Sequence, residues 1–443
     1  MQTGAAPNLK VHNKSVRLIA DALAILGGDG LESWLRTEVT WPEGAAIRGT
    51  RLNRLWPNKH GSLTFEIAVD VRVVDDVSTY MIQGGPLDQI KCGPPSCEAV
   101  LESGWVMNLS LSNSELGISL LSPDRDPRLA AVQDVPGRRA FGDLLRGTRA
   151  ADFLGLQDEG RDLIGRVVAY RISKRCVTRL ENPAALHKPS VFLKRFRRTP
   201  ADEILQAYRC LGSSLQRRSD GRIGAPALLD HLPDDRVLLF EGADASAWRL
   251  TTNADDLCLA ANVLALLHSV PITCSRFHKP QDEVEIAHRW LPILKALDGE
   301  QHEQFRAIVG SLEQSCGEIS SAACCLVHRD FYAAQVLRQR ENTWIVDLDT
   351  MSMGHPEVDI ATFSAHLLLD EIVRGSTDDQ AASLVRFFVD AYRNHGGKLS
   401  PDHLRFYLSS AIARLAAIHA TRGLDRASVA RLWRMTQRIS SWL

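Results

Sequence analysis

The segment CLVHRDFYAAQVLRQRENTWIVDLDTMSMGHPEVDIATF, residues 325–363, sets a histidine, several aspartates and an amide beside apolar runs. Taken singly, each polar residue reads as the solvated end of a core strand. Their joint spacing asks for more. His328 and Asp330 share one polar break, Gln335 follows five residues after Asp330, and Asp347 and Asp349 close the next β-like run, with Asp359 beyond it. In an extended chain residues i and i+2 share a face, so Asp347 and Asp349 are expected to point the same way.

Beyond this loop, apolar residues recur at helical spacing near 254–269, 283–297, 301–314, 358–373, 379–394, 402–421 and 426–442, which predicts a helical C-terminal half. Upstream the texture is β-like. RVVAYRISKRCVTRLE (166–181) reads as strand, Ser173–Arg175 turn and strand, SVFLKRF (190–196) as a third strand and RVLLFEGA (236–243) as a fourth. Between the last two, TPADEILQAYRCL reads as a helix, with Thr199 able to cap, Pro200 suited to the first position, and Asp202 and Glu203 favouring the positive terminus.

A second β-rich stretch occupies about 45–122, punctuated at Pro57–Gly61 and Gly84–Pro86, and residues 122–147 read as a connector with one or two helical turns. A short amphipathic helix over 14–26, stopped by Gly27 and Gly28, opens the chain. The expected fold class is α+β: a β-rich lobe (151–243), a larger helical lobe (244–443) and an additional N-terminal β-rich module (1–150). The hairpins of the two β blocks echo each other, which alone does not establish a duplication.

Composition narrows the class. The 443 residues are 45% hydrophobic and 24% charged, as in soluble globular proteins, and a net charge of -1 gives no global attraction to nucleic acid or an anionic membrane. No window reaches the roughly 18 apolar residues of a membrane span, and the first fifteen residues lack the apolar middle of a secretory signal, so a cytoplasmic protein is expected. Nine cysteines in mostly apolar contexts suit reduced thiols, and Cys92 and Cys97 have no second pair to complete a zinc site.

The loop HRDFYAAQ followed by IVDLD resembles that of the aminoglycoside phosphotransferase and choline kinase-like branch of the protein-kinase-like superfamily, over about residues 165–425. The resemblance implies a bilobal kinase-like fold and transfer of the γ-phosphoryl group of ATP, with Mg²⁺, to a hydroxyl of a sugar, aminoglycoside or similar metabolite. It implies Asp330 as the base that orients the acceptor hydroxyl, Asp347 and Gln335 as metal ligands, and Asp349 as a second metal ligand or a substrate contact. Gln335 departs from the commoner family asparagine by one methylene. His328 and Asp359 would stabilise the loop, Asp359 by accepting backbone N–H bonds.

On the small lobe Lys194 alternates with apolar residues in VFLKRF and is the expected phosphate lysine, with Arg195 and Arg197 solvated on the opposite face. Glu203 is the best candidate to pair with Lys194, with Asp202 adjacent, and backbone groups at Phe240 and Glu241 would meet the adenine edge. The RISKRC turn holds no glycine, which leaves phosphate contacts to its backbone amides or to Lys174 and Arg175. Acceptor specificity is expected from the segments after residue 244 and from MSMGHPE (351–357); Glu357, Asp244 and Asp370 read mainly as surface acids, His268 and His366 as core residues.

Two other functions compete. A catalytically silent nucleotide-binding scaffold fits the glycine-free hairpin and Gln335, and a metallohydrolase could be built on His328, Asp330, Asp347 and Asp349. The N-terminal module reads as a cap like that of some sugar kinases, a dimerisation surface or a docking domain. The oligomeric state is left open.

Overall fold

The computed structural model describes residues 29–442 apart from 58–62, 74–75, 87–89, 91–94, 103, 108, 115–117, 133–137, 157–162, 186–189, 201, 243–245, 248–252, 320–323 and 340–341. The expected helix at 14–26, Cys92 and Asp244 lie outside the described residues.

The N-terminal module begins with helix α1 (Asp29–Glu38), followed by β1 (Ala45–Pro57), β2 (Leu63–Val73), β3 (Asp76–Pro86), β4 (Val100–Glu102), β5 (Trp105–Met107), β6 (Ser110–Asn113) and β7 (Ile118–Leu121). These strands form one seven-stranded sheet in which β1, β2 and β3 run as an antiparallel meander and β7 joins the far side of β3. Alternation explains the packing: Phe65, Ile67, Val69 and Val71 share one face of β2 and cluster with Leu31 and Leu35 of α1. Ala68 and Glu66, on the other face, are also buried, so that face is covered too.

The connector supplies α2 (Arg138–Leu145) and α3 (Arg149–Leu154). The small lobe follows with β8 (Ile164–Arg171), β9 (Arg175–Glu181), β10 (Val191–Phe196), α4 (Asp202–Arg218), β11 (Ile223–Gly224), β12 (Leu228–Leu232) and β13 (Val237–Glu241). Five strands form an antiparallel sheet in the order β12-β13-β10-β9-β8. Phe141, Leu145 and Leu154 of the connector helices pack on Leu180, Leu193 and Leu239 of that sheet. This corrects the expectation for Arg195: it shares the covered face with Leu193 and is 3% exposed. Where the chain leaves β13, a Cβ on Gly242 would sit 2.2 Å from the Ser190 carbonyl oxygen, so only glycine fits.

The helical lobe contains β14 (Ser246–Ala247), α5 (Ala254–Ser269), α6 (Pro280–His288), α7 (Leu291–Leu297), α8 (Gly299–Cys316), β15 (Cys325–Val327), β16 (Val336–Gln339), β17 (Asn342–Ile345), β18 (Ser352–Gly354), α9 (Glu357–Val373), α10 (Asp378–Asn394), α11 (Pro401–Ala420) and α12 (Arg426–Trp442). The expected single helix at 283–297 is two, because Pro292 occupies the first turn of α7 and cannot continue α6. Asn253, Asp298 and Thr377 cap α5, α8 and α10 with side-chain oxygens. Two antiparallel pairs, β15 with β18 and β16 with β17, fold the 325–354 stretch back on itself ahead of α9. No helix among the described residues is long and apolar enough to cross a membrane.

The module closes against the small lobe along the β8–β9 hairpin. Trp105, Met107, Leu121 and Leu129 form a common apolar cluster with Val167, Tyr170, Ile172 and Cys176. Leu55 and Leu63, at the end of the β1–β2 hairpin, belong instead to the large core that runs through the helical lobe. The module therefore packs against both the small lobe and the core that runs through the helical lobe.

Candidate active site

The 328–335 loop is held by a buried carboxylate. Asp359, fully buried in the first turn of α9, accepts the Arg329 amide at 2.6 Å and the His328 amide at 2.7 Å. Arg329 is left-handed (φ 71°), a conformation that costs a non-glycine residue roughly 1–2 kcal/mol. A charge-assisted amide bond offsets that cost. Asp359 also takes a bond from Nε2 of His268 at 3.0 Å, whose Nδ1 meets the Tyr392 hydroxyl at 2.7 Å. The burial expected for His268 is present, but its ring braces the loop anchor as well as filling the core.

His328 links the two acidic segments. The Val346 carbonyl can only accept, so Nε2 donates to it at 2.8 Å, leaving Nδ1 as the acceptor for the Asp330 amide at 3.3 Å. Asp330 is thus tied to the strand end that carries Asp347, and the loop returns through a bond from the Val346 amide to the Gln335 carbonyl.

Across the cleft, β10 presents Lys194. Its Nζ lies 3.3 Å from Asp347 Oδ1 and 3.1 Å from Asp349 Oδ1, and 5.6 Å from the centre of the Phe240 ring. Arg175, the first residue of β9, donates to both oxygens of Asp347, at 2.8 and 3.0 Å, and also to Asp349. The Tyr208 hydroxyl, from α4, donates to Asp349 as well. Five side chains from three elements of the small lobe and one turn of the large lobe thus form a single ionic cluster.

A sequence model of the phosphotransferase enzyme family matches residues 182–394, which include Lys194, Asp330, Gln335, Asp347 and Asp359. Over that stretch the chain is similar to the phosphotransferase enzyme family. Similar solved structures include a choline/ethanolamine kinase family protein from Mesorhizobium loti, at 14% identity over 70% of this chain and 94% of that one (TM-score 0.41). Choline kinase from Cryptosporidium parvum is 11% identical over 63% and 89% of the two chains (TM-score 0.44). An aminoglycoside phosphotransferase from Streptomyces rimosus is 18% identical over 56% and 91% (TM-score 0.37). A search of curated proteins found no match.

Several expectations about the site need correction. Glu203 does not meet Lys194: it is exposed and accepts the Ser275 amide instead. The buried face of α4 runs through Ile204, Tyr208, Leu211 and Leu215, which turns Glu203 outward and brings Tyr208 to the cleft. Glu241 offers no free amide, since its N–H bonds to the Ala227 carbonyl at 2.9 Å, and the residue lines a recess of about 610 Å³ together with Tyr208, Gly212 and Ala227. Phe240 contributes its ring, beside Lys194 and edge-on to Tyr208, while its backbone lies within the sheet.

Asp347 and Asp349 do converge, but through a turn. Asp347 is left-handed (φ 57°) and opens a short helical turn at Leu348–Thr350, so strand alternation is not what aligns them. The 351–357 segment is mostly buried, and Glu357 is an interior acid 2% exposed that accepts the Ser400 amide at 2.6 Å. It offers little open surface to an acceptor. The Ile172 and Ser173 amides of the β8–β9 turn also face away from a phosphate role, being bonded to Gln83 and Asp126 of the module. Tyr208 and Arg175 carry more of the cluster than the sequence suggested; Tyr208 was legible as a member of the apolar face of α4.

Electrostatics separates the acids. Burial in the crevice raises the Asp330 carboxyl above its usual range, against partial opposition from His328, Arg414 and Arg175, and the Asp347 charge adds to the rise. Burial would also raise Asp347, but Lys194 and Arg175 outweigh it and hold that carboxyl well below the usual range. Among the described residues no group of three or more His, Cys, Asp or Glu side chains has metal-site geometry. The Asp347 and Asp349 carboxylates, brought together by the Leu348–Thr350 turn, are hard-oxygen donors of the kind Mg²⁺ prefers when phosphates and water complete its shell.

Proposed function

We propose that the protein is an ATP- and Mg²⁺-dependent kinase that transfers the γ-phosphoryl group to a hydroxyl of a small molecule such as a sugar or aminoglycoside. One observation carries this reading: Lys194 of the small-lobe sheet meets Asp347 and Asp349 of the helical lobe, beside the loop that bears Asp330. A cation facing paired carboxylates across a cleft is what a metal-bound triphosphate requires at its two sides.

In this reading Lys194 and Arg175 neutralise phosphate oxygens, and Asp330 orients the acceptor hydroxyl and receives its proton at a carboxylate oxygen. Its raised pKa brings the base nearer the working pH, which favours general-base transfer. Asp347, Asp349 and the Gln335 amide oxygen would hold Mg²⁺, which supplies charge neutralisation at the transferring phosphoryl group. Gln335 is 7% exposed, so its amide would be presented by a buried loop end.

The test is ATP turnover with Mg²⁺ over a panel of aminoglycosides, monosaccharides and amino alcohols, comparing parent and Asp330→Ala. Turnover on at least one acceptor, lost in the variant, supports the kinase. A second reading, a silent nucleotide-binding scaffold, draws on Arg175, whose guanidinium already engages both Asp347 and Asp349. Tight ATP binding without turnover on any acceptor would favour it.

A further inference from the structure

In the kinase reading the β8–β9 hairpin stands for the glycine-rich turn over the phosphates, yet its turn, Arg171–Lys174, contains no glycine. Its turn closes with the Lys174 amide bonded to the Arg171 carbonyl at 2.9 Å, and Ser173 sits at its third position with φ 56°. That position, with positive φ, favours glycine or asparagine. Serine is held there from behind. Asp126, which is fully buried, accepts the Ser173 amide at 2.6 Å and the Tyr170 hydroxyl at 2.8 Å on one oxygen and the Arg128 amide at 3.0 Å on the other.

Gln83, also fully buried, takes the neighbouring Ile172 amide at 2.7 Å and donates to the Tyr170 carbonyl at 2.7 Å. Its orientation is set in turn by Glu66, which accepts from Gln83 at 2.7 Å and from Asn53 at 2.6 Å. Both central amides of the turn are thus committed to the N-terminal module. Two residues further on, Arg175 enters the cleft and grips Asp347. The molecule uses the same device at Arg329, another left-handed residue whose amide is held by a buried carboxylate.

We propose that Asp126 and Gln83 are positioning residues for the nucleotide: the N-terminal β-rich module replaces the glycine of a phosphate-binding turn by clamping a strained serine turn from behind, and so aims Arg175 at the triphosphate. The proposal rests on the kinase reading of the cleft. It assigns the module to the nucleotide site, with phosphate contact passed from turn amides to side chains.

The test uses the full chain, with two readouts: hydrogen exchange of amides 172–175 in the free protein, and calorimetric affinity for AMP-PNP with Mg²⁺. Asp126→Ala should speed exchange at the turn and raise the Kd about tenfold, because the binding-competent turn becomes a minority conformer. Adding Ser173→Gly should recover affinity to within about threefold of the parent, since glycine adopts positive φ without the carboxylate. Asp126→Asn, a milder change, is read in the same way should Asp126→Ala fail to fold. Asp70→Ala, which breaks an exposed pair with Arg51 elsewhere on the module, should leave both readouts unchanged.

Unaltered exchange in the Asp126 variants would show that the carboxylate does not hold the turn, and faster exchange with unaltered Kd would show that the turn does not position the nucleotide. Either result overturns the clamp while leaving the kinase reading in place. A parent protein that binds no AMP-PNP would overturn both.

Discussion

Lys194 and Asp347, 153 residues apart, meet at 3.3 Å across the cleft between the small-lobe sheet and the helical lobe. Neither residue is free to relax alone: Lys194 is 14% exposed and shared with Asp349, while Asp347 is shared with Arg175. Half-desolvated charges of this kind are costly unless paired, so the cluster ties the two lobes into one electrostatic unit.

Lys194→Met should lower kcat/KM for ATP by roughly 30-fold, the equivalent of about 2 kcal/mol for one charge-assisted contact. Steady-state kinetics against ATP checks this. A loss confined to the acceptor KM would place Lys194 outside the phosphate site.

Asp359→Ala should destabilise the fold by about 3 kcal/mol, because the His328 and Arg329 amides and His268 lose their shared acceptor inside the protein. Denaturant unfolding at neutral pH measures it. The Asp359 carboxyl lies below its usual range, with burial opposed by His268 and the His328 amide. Its contribution is therefore present above the unfolded carboxylate pKa of about 4 and is lost as pH falls through the lower folded value.

Tyr208 and Glu203 should separate cleanly. Tyr208→Phe removes a donor to Asp349 and should weaken nucleotide binding several-fold, whereas Glu203→Ala should leave it within about twofold, as expected of an exposed side chain. Fluorescent-nucleotide titration distinguishes them, and equal effects would refute the assignment.

Acidification should destabilise the protein already in the range where the histidines of the unfolded chain protonate. Burial lowers His366 to about 3, with His419, Arg414 and Arg422 adding to it, and lowers His419 to about 4. The unfolded chain, with histidines near 6.5, takes up protons first, so stability is full above about pH 7 and falls as pH drops from about 6.5 toward the folded values. For His366, stacked on Tyr332 at 4.6 Å, the slope is at most about 1.4 kcal/mol per pH unit. Thermal melts from pH 7 to 5 should show a shallower decline for His366→Phe than for the parent.

Much of this was legible in the sequence because the signals were local. The helical lobe announced itself through apolar periodicity: α5, α9, α10 and α11 lie within a residue or so of the expected spans. The spacing of His328, Asp330, Asp347 and Asp359 carried the loop, because backbone geometry fixes what such short separations can do. The Lys194 partner was misread because it depends on the phase of a helix against a sheet, which the first-turn acids of α4 did not reveal. Asp126 and Gln83 were invisible for a different reason: they act on a turn 47 and 89 residues away through the packing of two sheets.

The most direct test of the central claim is calorimetric titration of AMP-PNP, with and without Mg²⁺, into the parent, Asp347→Asn and Lys194→Met. Mg²⁺ should strengthen binding to the parent, the Mg²⁺ effect should vanish in Asp347→Asn, and Lys194→Met should bind more weakly. Affinity that is indifferent to Mg²⁺ and equal in all three proteins would contradict it.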